Sequence, residues 1–94
     1  MSKIVIVFTP EYLELELKFL RKHRNLLDKY YKMLKILETN PFYPSLRTHK
    51  LHGRLNDFYS VSIDMQYRVL IKFVLRENQL IPVDIGDHDN VYTK

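Results

Sequence analysis

The sequence predicts an α+β fold in which two N-terminal helices pack on a twisted, mainly antiparallel sheet of four to five strands. Residues 3–8 are a short β-branched apolar run that is typical of a strand. Residues 10–38 carry apolar side chains at helical spacing. After residue 46 the apolar pattern changes to a period of two, as in half-buried strands. Because helices and sheets each have an apolar side to bury, we expect the helices to cover one face of the sheet.

Length and composition indicate one domain that spans residues 1–94. The chain has 94 residues, of which 46% are hydrophobic, and this is enough apolar surface for one small core. It contains no cysteine, which excludes disulfides and thiolate chemistry. The apolar start at residues 4–8 is too short for a signal peptide or a membrane span. We therefore expect a soluble cytoplasmic protein.

The first strand and the helices that follow it have clear signals. The uninterrupted apolar residues at 4–8 predict burial on both faces, and hence a central strand. Thr9 can cap the first helix, and Pro10 suits its first position. This helix should end near residues 22–25, and a second helix should cover residues 26–38. The first helix is predicted to carry Leu13, Leu17 and Leu20 on one apolar face, with Tyr12 and Phe19 beside it.

The rest of the chain is predicted to form an antiparallel meander. Strands are expected at residues 47–51, 58–63, 67–75 and 79–85, with short polar turns between them. Titratable groups follow the last strand at once, including His88. Polar groups at the end of a strand are frequent components of functional sites.

Positive charge is concentrated in the two helices. The net charge is +4, and between residues 18 and 35 seven basic residues stand against one acid, Asp28. Such a cluster attracts phosphate backbones, acidic proteins or anionic lipids, although lysine-rich helices are also ordinary solvated surfaces. The basic residues are Lys18, Arg21, Lys22, Arg24, Lys29, Lys32 and Lys35.

Three histidines, His49, His52 and His88, fall in or beside the predicted sheet, whereas His23 belongs to the basic cluster and is expected on the surface. Histidine titrates near neutral pH and can transfer protons. The three converge if the end of the last strand meets the loop after residue 51. Zinc binding is the alternative use. Without cysteine or a helical His-x-x-x-His pair, and in cationic surroundings, we expect no metal and no other cofactor.

A cationic cleft with histidines suits the cleavage of RNA. The ribose 2′-hydroxyl can attack the adjacent phosphate without a metal if a base, an acid and a cation are present. Arg68 is the candidate cation, because guanidinium binds phosphate oxygens bidentately. Its alternative role is a salt bridge with one of three acids, Asp64, Asp84 or Asp87. Three aromatic residues either stack on bases or belong to the core: Phe58, Tyr67 and Tyr92.

Along its whole length the chain resembles the toxins of the RelE/ParE superfamily, and it looks most similar to the YafQ-like branch of ribosome-dependent mRNA interferases. No single motif is specific, but their order and spacing are. The resemblance is carried by residues 8–11, the basic helices, residues 49–53, residues 67–71 and the ending at residues 86–88.

The resemblance implies a RelE-like fold and a type II toxin–antitoxin toxin that cuts mRNA in the ribosome without metal. The partners implied are a cognate antitoxin, mRNA and ribosomal RNA; the free protein would be a monomer and would form a larger complex with the antitoxin. The family's catalytic positions fall on His49, His88 and Arg68, and its aromatic positions fall on Tyr67 and Tyr92. The RNA-binding residues implied by charge and by the family are Lys18, Arg21, Lys22, Lys29, Lys32, Lys50, His52, Arg54, Tyr67 and Tyr92.

Three positions depart from the branch. A branch histidine falls on Ser62, a branch aspartate on Gln66, and a branch arginine on Asp84, which reverses the charge. The positive charge at the phosphate must then come from Arg68, Lys50 or Arg54. Two alternatives therefore remain: a ParE-like inhibitor of DNA gyrase without nuclease activity, and an inactive member that only binds an antitoxin.

Overall fold

The computed structural model describes residues 3–87 and forms an α+β fold with two α-helices and one five-stranded sheet. The strand order is β1-β5-β4-β3-β2, and every neighbouring pair is antiparallel except β1 and β5. The predicted α+β class and mainly antiparallel sheet are confirmed. No helix in the described part of the chain is long and apolar enough to cross a membrane. The elements are β1 (Val5–Ile6), α1 (Pro10–Lys22), α2 (Leu27–Thr39), β2 (His49–Lys50), β3 (Tyr59–Ser62), β4 (Tyr67–Val74) and β5 (Gln79–Asp87).

Strand β1 lies at an edge of the sheet, and the prediction of a central strand was wrong. It has two residues, pairs only with β5, and leaves Val5 55% exposed. Ile4 and Ile6 pack against the core on the helix side, so the apolar run is used mainly on one face. The strands that lie between two neighbours are instead β3, β4 and β5, since each pairs on both sides.

Helix α1 begins where the sequence predicts, but its buried stripe is centred on Tyr12 and Phe19, and of the three predicted leucines Leu20 packs against the core. The Thr9 hydroxyl accepts a hydrogen bond from the Tyr12 backbone N–H at 3.1 Å, and Pro10 is the first helical residue. Tyr12 and Phe19 are buried, whereas Leu13 is 45% and Leu17 52% exposed. Tyr12 and Phe19 are two turns apart on one stripe, and their larger rings bury more apolar area than the leucines.

A buried chain of hydroxyl groups joins the two helices. The Tyr30 hydroxyl donates to Glu16 Oε2 at 2.6 Å, and it lies 2.7 Å from the Tyr12 hydroxyl. Because the Tyr30 hydroxyl donates its one proton to the carboxylate, the Tyr12 hydroxyl is the donor to Tyr30. Burial, as the largest cause, raises the pKa of both tyrosines well above the ordinary value of 10.0. Both remain neutral donors at physiological pH.

The two faces of the sheet differ. Tyr67, Val69, Ile71 and Phe73 alternate along β4 toward the helices and belong to the main core or pack against it. The other face, here called the open face, carries a small apolar cluster centred on Leu70, which packs with Leu51, Leu55, Phe58 and Val83. An irregularity in the β4–β5 register between Leu70 and Ile71 shifts the pairing by one residue.

Candidate functional site

Arg68 lies on the open face with part of its guanidinium unsatisfied. It is the second residue of β4 and pairs with Ser62 on β3 and Gly86 on β5. Its Nε and Nη1 atoms are buried, and neither has a hydrogen-bond partner among residues 3–87. Burying charged donors without acceptors is costly, and native proteins rarely do so without a functional reason. An anion with two oxygens, such as a phosphate, fits this pair of donors.

Two of the three acids that could have paired with Arg68 are engaged elsewhere through their Oδ1 atoms. Asp64 Oδ1 accepts hydrogen bonds from the backbone N–H groups of Gln66 and Tyr67 at 2.9 and 2.8 Å. Asp84 Oδ1 accepts from the N–H of Ile85 at 2.9 Å. Each of these bonds ties one carboxylate oxygen to the backbone. Arg68 Nε and Nη1 themselves have no hydrogen-bond partner among the described residues.

His49 is an exposed residue of the edge strand β2, and the backbone orients its ring. Its Nδ1 lies 2.9 Å from the carbonyl oxygen of Arg47. Because a carbonyl only accepts, Nδ1 carries the proton of the neutral ring and Nε2 keeps the lone pair. Arg47 itself has a left-handed backbone with φ of 49°, a conformation that is unfavourable for a residue with a Cβ. The left-handed turn brings its carbonyl under the histidine ring.

The strand register brings His49 and Arg68 to the same face. His49 pairs with Ser60, and Ser60 pairs with Leu70. Arg68 lies two residues from Leu70 and therefore on the same side of the sheet. Two strand spacings and a two-residue offset separate their Cα atoms by about 12 Å, which leaves room for a phosphodiester between the two side chains. Two of the three predicted catalytic residues are thus brought together. His88 lies outside the described residues.

The loop after β2 borders the open face. Leu55 packs beside Leu51 against Leu70, which holds a 3-10 turn at Gly53–Leu55 next to the sheet. Gly53 has φ of +69°, a conformation that suits glycine. The exposed side chains of His52 and Arg54 lie on this turn. They therefore lie at the margin of the open face, and their RNA-binding role stays a prediction.

Lys50 points to the other side of the sheet from His49. It pairs with Tyr59 and lines a cavity of about 370 Å³ together with Phe42 and Phe73. Adjacent residues of a strand face opposite sides, so Lys50 is separated from Arg68. Of the three basic residues considered for the phosphate, Arg68 alone lies within β4 on the open face.

Tyr67 also lies away from Arg68, on the helix side. Its ring centroid is 5.3 Å from that of Phe19 and 4.6 Å from that of His23. His23 is half-buried in this contact, so the prediction of a surface histidine was wrong. It caps the C-terminal end of α1, which lies over the start of β4. The four-residue spacing of Phe19 and His23 on the buried stripe is the sequence signal that indicates this contact.

The basic cluster divides into two grooves at one end of the sheet. Lys29 and Lys32 line a groove of about 200 Å³ that reaches Ser62. Lys18 and Lys22 line a groove of about 260 Å³ that reaches Gly86. Since Ser62 and Gly86 are the two cross-strand partners of Arg68, both grooves meet the sheet at the level of Arg68. The predicted RNA-binding residue Arg21 is exposed in the last turn of α1, and Tyr92 lies outside the described residues.

No three His, Asp or Glu side chains of residues 3–87 come close enough together to hold a metal ion. The histidines that were expected near one another are dispersed within that part of the chain: His49 and His52 border the open face, and His23 lies on the helix side.

The fold is similar to that of several solved structures. No family model and no curated protein sequence matches the chain. Solved structures do: YafQ from E. coli strain BL21(DE3) has a TM-score of 0.76 at 13% identity, covering 95% of this chain and 98% of that one. A metal-bound toxin from Helicobacter pylori has a TM-score of 0.73 at 27% identity, covering 94% and 98%. YafQ in the E. coli DinJ-YafQ toxin-antitoxin complex has a TM-score of 0.71 at 16% identity, covering 95% and 97%.

The chain shares the fold of YafQ. Within this YafQ-like fold, the three departures from the branch pattern can now be located. Ser62 is buried and its hydroxyl donates to the carbonyl of Asp64 at 2.6 Å; Gln66 is exposed in the turn before β4; Asp84 is buried in β5. Within the described part of the chain, His49 and Arg68 are the predicted catalytic residues that lie on the open face.

Proposed function

We propose that this protein is the toxin of a type II toxin–antitoxin module and that it cuts mRNA on translating ribosomes without a metal ion. The observation that carries the proposal is the buried, unsatisfied Arg68 guanidinium on the same sheet face as an oriented His49. The YafQ-like fold supports it, because the solved structures with this fold include toxins.

In the proposed reaction the ribose 2′-oxygen attacks the adjacent phosphorus and the bond from phosphorus to the 5′-oxygen breaks. His49 Nε2 takes the proton of the 2′-hydroxyl as general base. Arg68 Nε and Nη1 donate hydrogen bonds to the non-bridging phosphate oxygens, whose charge grows in the transition state. A general acid protonates the leaving 5′-oxygen, and His88 is the candidate for that role. The products are a 2′,3′-cyclic phosphate and a 5′-hydroxyl.

The two cationic grooves would position the protein on ribosomal RNA and mRNA. Lys29 and Lys32 lie on one side of the Arg68 end of the sheet, and Lys18 and Lys22 lie on the other. A nucleic acid strand that wraps around this end of the sheet would contact the lysines on the helix side and Arg68 on the open face. This arrangement favours RNA over an uncharged substrate.

A cognate antitoxin is the proposed protein partner. The α1 side chains Leu13 and Leu17 are about half exposed, and apolar surface of this kind is typical of protein contacts. The positive net charge of +4 favours an acidic partner. In one of the similar solved structures, YafQ from E. coli is bound to DinJ in a toxin-antitoxin complex. The free protein is proposed to be a monomer that joins a larger complex with its antitoxin.

The test is inducible expression in bacteria, with RNA cleavage mapped on translating ribosomes. Wild type is expected to arrest growth and cut mRNA in the presence of EDTA, whereas His49→Ala and Arg68→Ala are expected to do neither. Lys72→Ala, an exposed change on the same strand, serves as control and should remain toxic. Growth arrest with DNA damage and intact mRNA would indicate a gyrase inhibitor instead. Absence of any arrest, with a tight antitoxin complex, would indicate an inactive member.

A further inference from the structure

A groove between the end of α1 and the end of the sheet contains three rings in contact. Phe19, His23 and Tyr67 all line it, together with Lys18, Lys22 and residues of β5. The His23 ring centroid lies 4.5 Å from that of Phe19 and 4.6 Å from that of Tyr67. The reaction proposed above uses none of these rings, so the groove calls for a separate explanation.

The three rings differ in how much surface they leave toward the groove. Phe19 is 8% exposed and belongs to the main core. His23 and Tyr67 are only half-buried. Phe19 therefore holds the other two rings in place, while part of the His23 and Tyr67 surfaces faces the groove. Rings that are fixed on one side and open on the other provide a platform for stacking.

The charge of the groove is suited to a phosphate. Lys18 and Lys22 are one helical turn apart and line the same side of α1. Asp87 is the single carboxylate among the described residues that line the groove, so the ammonium groups outnumber it. A groove that combines planar rings with two ammonium groups has the components that bind a nucleotide: the rings stack on the base, and the cations bind the phosphate.

We infer that this groove is a subsite for one nucleotide of single-stranded RNA, whose base stacks on His23 and Tyr67 while Lys18 and Lys22 bind its phosphate. The inference rests on the proposed function and extends it to a second nucleotide. Gly86 lines the groove and is also the cross-strand partner of Arg68. The groove therefore reaches the end of the sheet that carries Arg68, although the Arg68 side chain lies on the open face and the groove lies on the helix side. The volume of about 260 Å³ is small for a ligand site and suits one base rather than two.

The experiment titrates the full-length protein with a five-nucleotide single-stranded RNA that carries one 2-aminopurine. Every ribose is 2′-O-methylated, so the RNA is not cut. Stacking quenches 2-aminopurine fluorescence. Wild type is expected to quench it, and His23→Ala is expected to lose the quenching and weaken binding about tenfold. His23→Phe keeps a planar ring and should stay within about threefold of wild type. If His23→Ala does not fold, His23→Leu replaces it, since leucine packs on Phe19 without a ring face.

Tyr43→Ala is the matched control, because Tyr43 is an exposed aromatic residue outside the groove, and it should leave quenching and affinity unchanged. The inference is overturned if wild type shows no quenching, if His23→Ala binds like wild type, or if His23→Phe fails as completely as His23→Ala. It is also overturned if His23→Ala weakens binding of an acidic peptide but not of RNA, which would make the groove a protein site. If quenching depends on His23 but the protein does not cleave mRNA on ribosomes, the proposed function is refuted. The inference of an RNA subsite is then still supported.

Discussion

At the scale of single residues, Arg68 lowers the stability of the fold and supplies hydrogen-bond donors for the proposed phosphate. Its buried Nε and Nη1 atoms lack acceptors within residues 3–87, and each buried donor without a partner destabilises the folded state. In the proposed function the same two atoms donate to phosphate oxygens, which requires the groups that cover them to move aside when the substrate binds. A residue that lowers stability in the free protein and stabilises a transition state is typical of active sites.

Replacing Arg68 by methionine is therefore expected to have opposite effects on stability and activity. Arg68→Met removes the unsatisfied donors and keeps most of the side-chain volume, so the free energy of unfolding should rise by about 1 kcal/mol. RNA cleavage should fall by at least about 100-fold. Chemical denaturation and a ribosomal cleavage assay measure the two effects, with Lys72→Met as control. Lower stability with retained cleavage would contradict this role of Arg68.

At the scale of elements, edge strand β1 depends on the turn between β4 and β5. Asn78 has a left-handed backbone with φ of 55°, and its Nδ2 donates to the carbonyl oxygen of Lys3 at 2.7 Å. Its own carbonyl accepts from the N–H of Val5 at 3.0 Å. One asparagine thus makes the turn and holds the parallel strand. Asparagine suits both tasks, because it tolerates the left-handed region and carries a side-chain donor.

Two substitutions at Asn78 should separate these tasks. Asn78→Gly keeps the backbone conformation and loses the side-chain bond, so it should cost about 1 kcal/mol of unfolding free energy. Asn78→Ala adds backbone strain and should cost about 1 kcal/mol more than glycine does. Urea denaturation measures both variants. Equal stability of the two would mean that the left-handed conformation is not maintained.

The buried tyrosine chain between α1 and α2 makes the helix pair sensitive to alkaline pH. Folding raises the pKa of Tyr12 and Tyr30 above the ordinary value of 10.0, chiefly through burial. Below that value both states hold the proton and stability is unaffected by these groups. Above it the unfolded chain ionises and the folded chain does not, so the unfolding free energy falls by about 1.4 kcal/mol per pH unit for each tyrosine.

Tyr12→Phe should therefore make the alkaline loss of stability shallower by about 1.4 kcal/mol per pH unit above the ordinary tyrosine pKa. The variant also loses one hydrogen bond, which should lower its stability at neutral pH by about 1 kcal/mol. Denaturant unfolding between neutral pH and pH values above 10 measures both effects. Tyr43→Phe, an exposed change outside the network, should follow wild type. An unchanged slope for Tyr12→Phe would contradict ionisation of this network as the cause.

At the scale of the whole molecule, the two cationic grooves flank one end of the sheet. The helices that carry them also cover the helix side of the core. The basic residues are therefore presented on a rigid frame rather than on loops. Because each lysine that binds a phosphate releases counterions, binding to RNA should weaken as salt rises.

A double substitution should reveal this in the salt dependence. Lys29→Ala with Lys32→Ala is expected to reduce the slope of log affinity against log salt by roughly 0.7 for each phosphate of single-stranded RNA that a lysine no longer neutralises. Lys35→Ala is the control, because Lys35 lines a different cavity, beside β1. Affinity for ribosomes across a salt series provides the measurement. If Lys35→Ala changes the slope as much as the double substitution does, binding depends on net charge and not on the groove.

Most of the fold could be predicted from the sequence because it rests on local patterns. The Thr9–Pro10 cap, the two helices and the alternating strands are determined by hydrogen bonding and periodicity within a few residues. The position of β1 and the buried face of α1 could not be predicted. Both depend on which side chains meet across the core. In α1, Tyr12 and Phe19 are buried in the core, whereas Leu13 and Leu17 are exposed.

The candidate site divides in the same way. The residue types, the clustered positive charge and the resemblance to RelE/ParE toxins were present in the sequence alone. Only the tertiary structure decided that His49 and Arg68 share a face, that Lys50 points away, and that His23 stacks on Tyr67. The physical reason is the register of the sheet: in strands a shift of one residue moves a side chain to the opposite face, and pairing between strands distant in sequence sets that register.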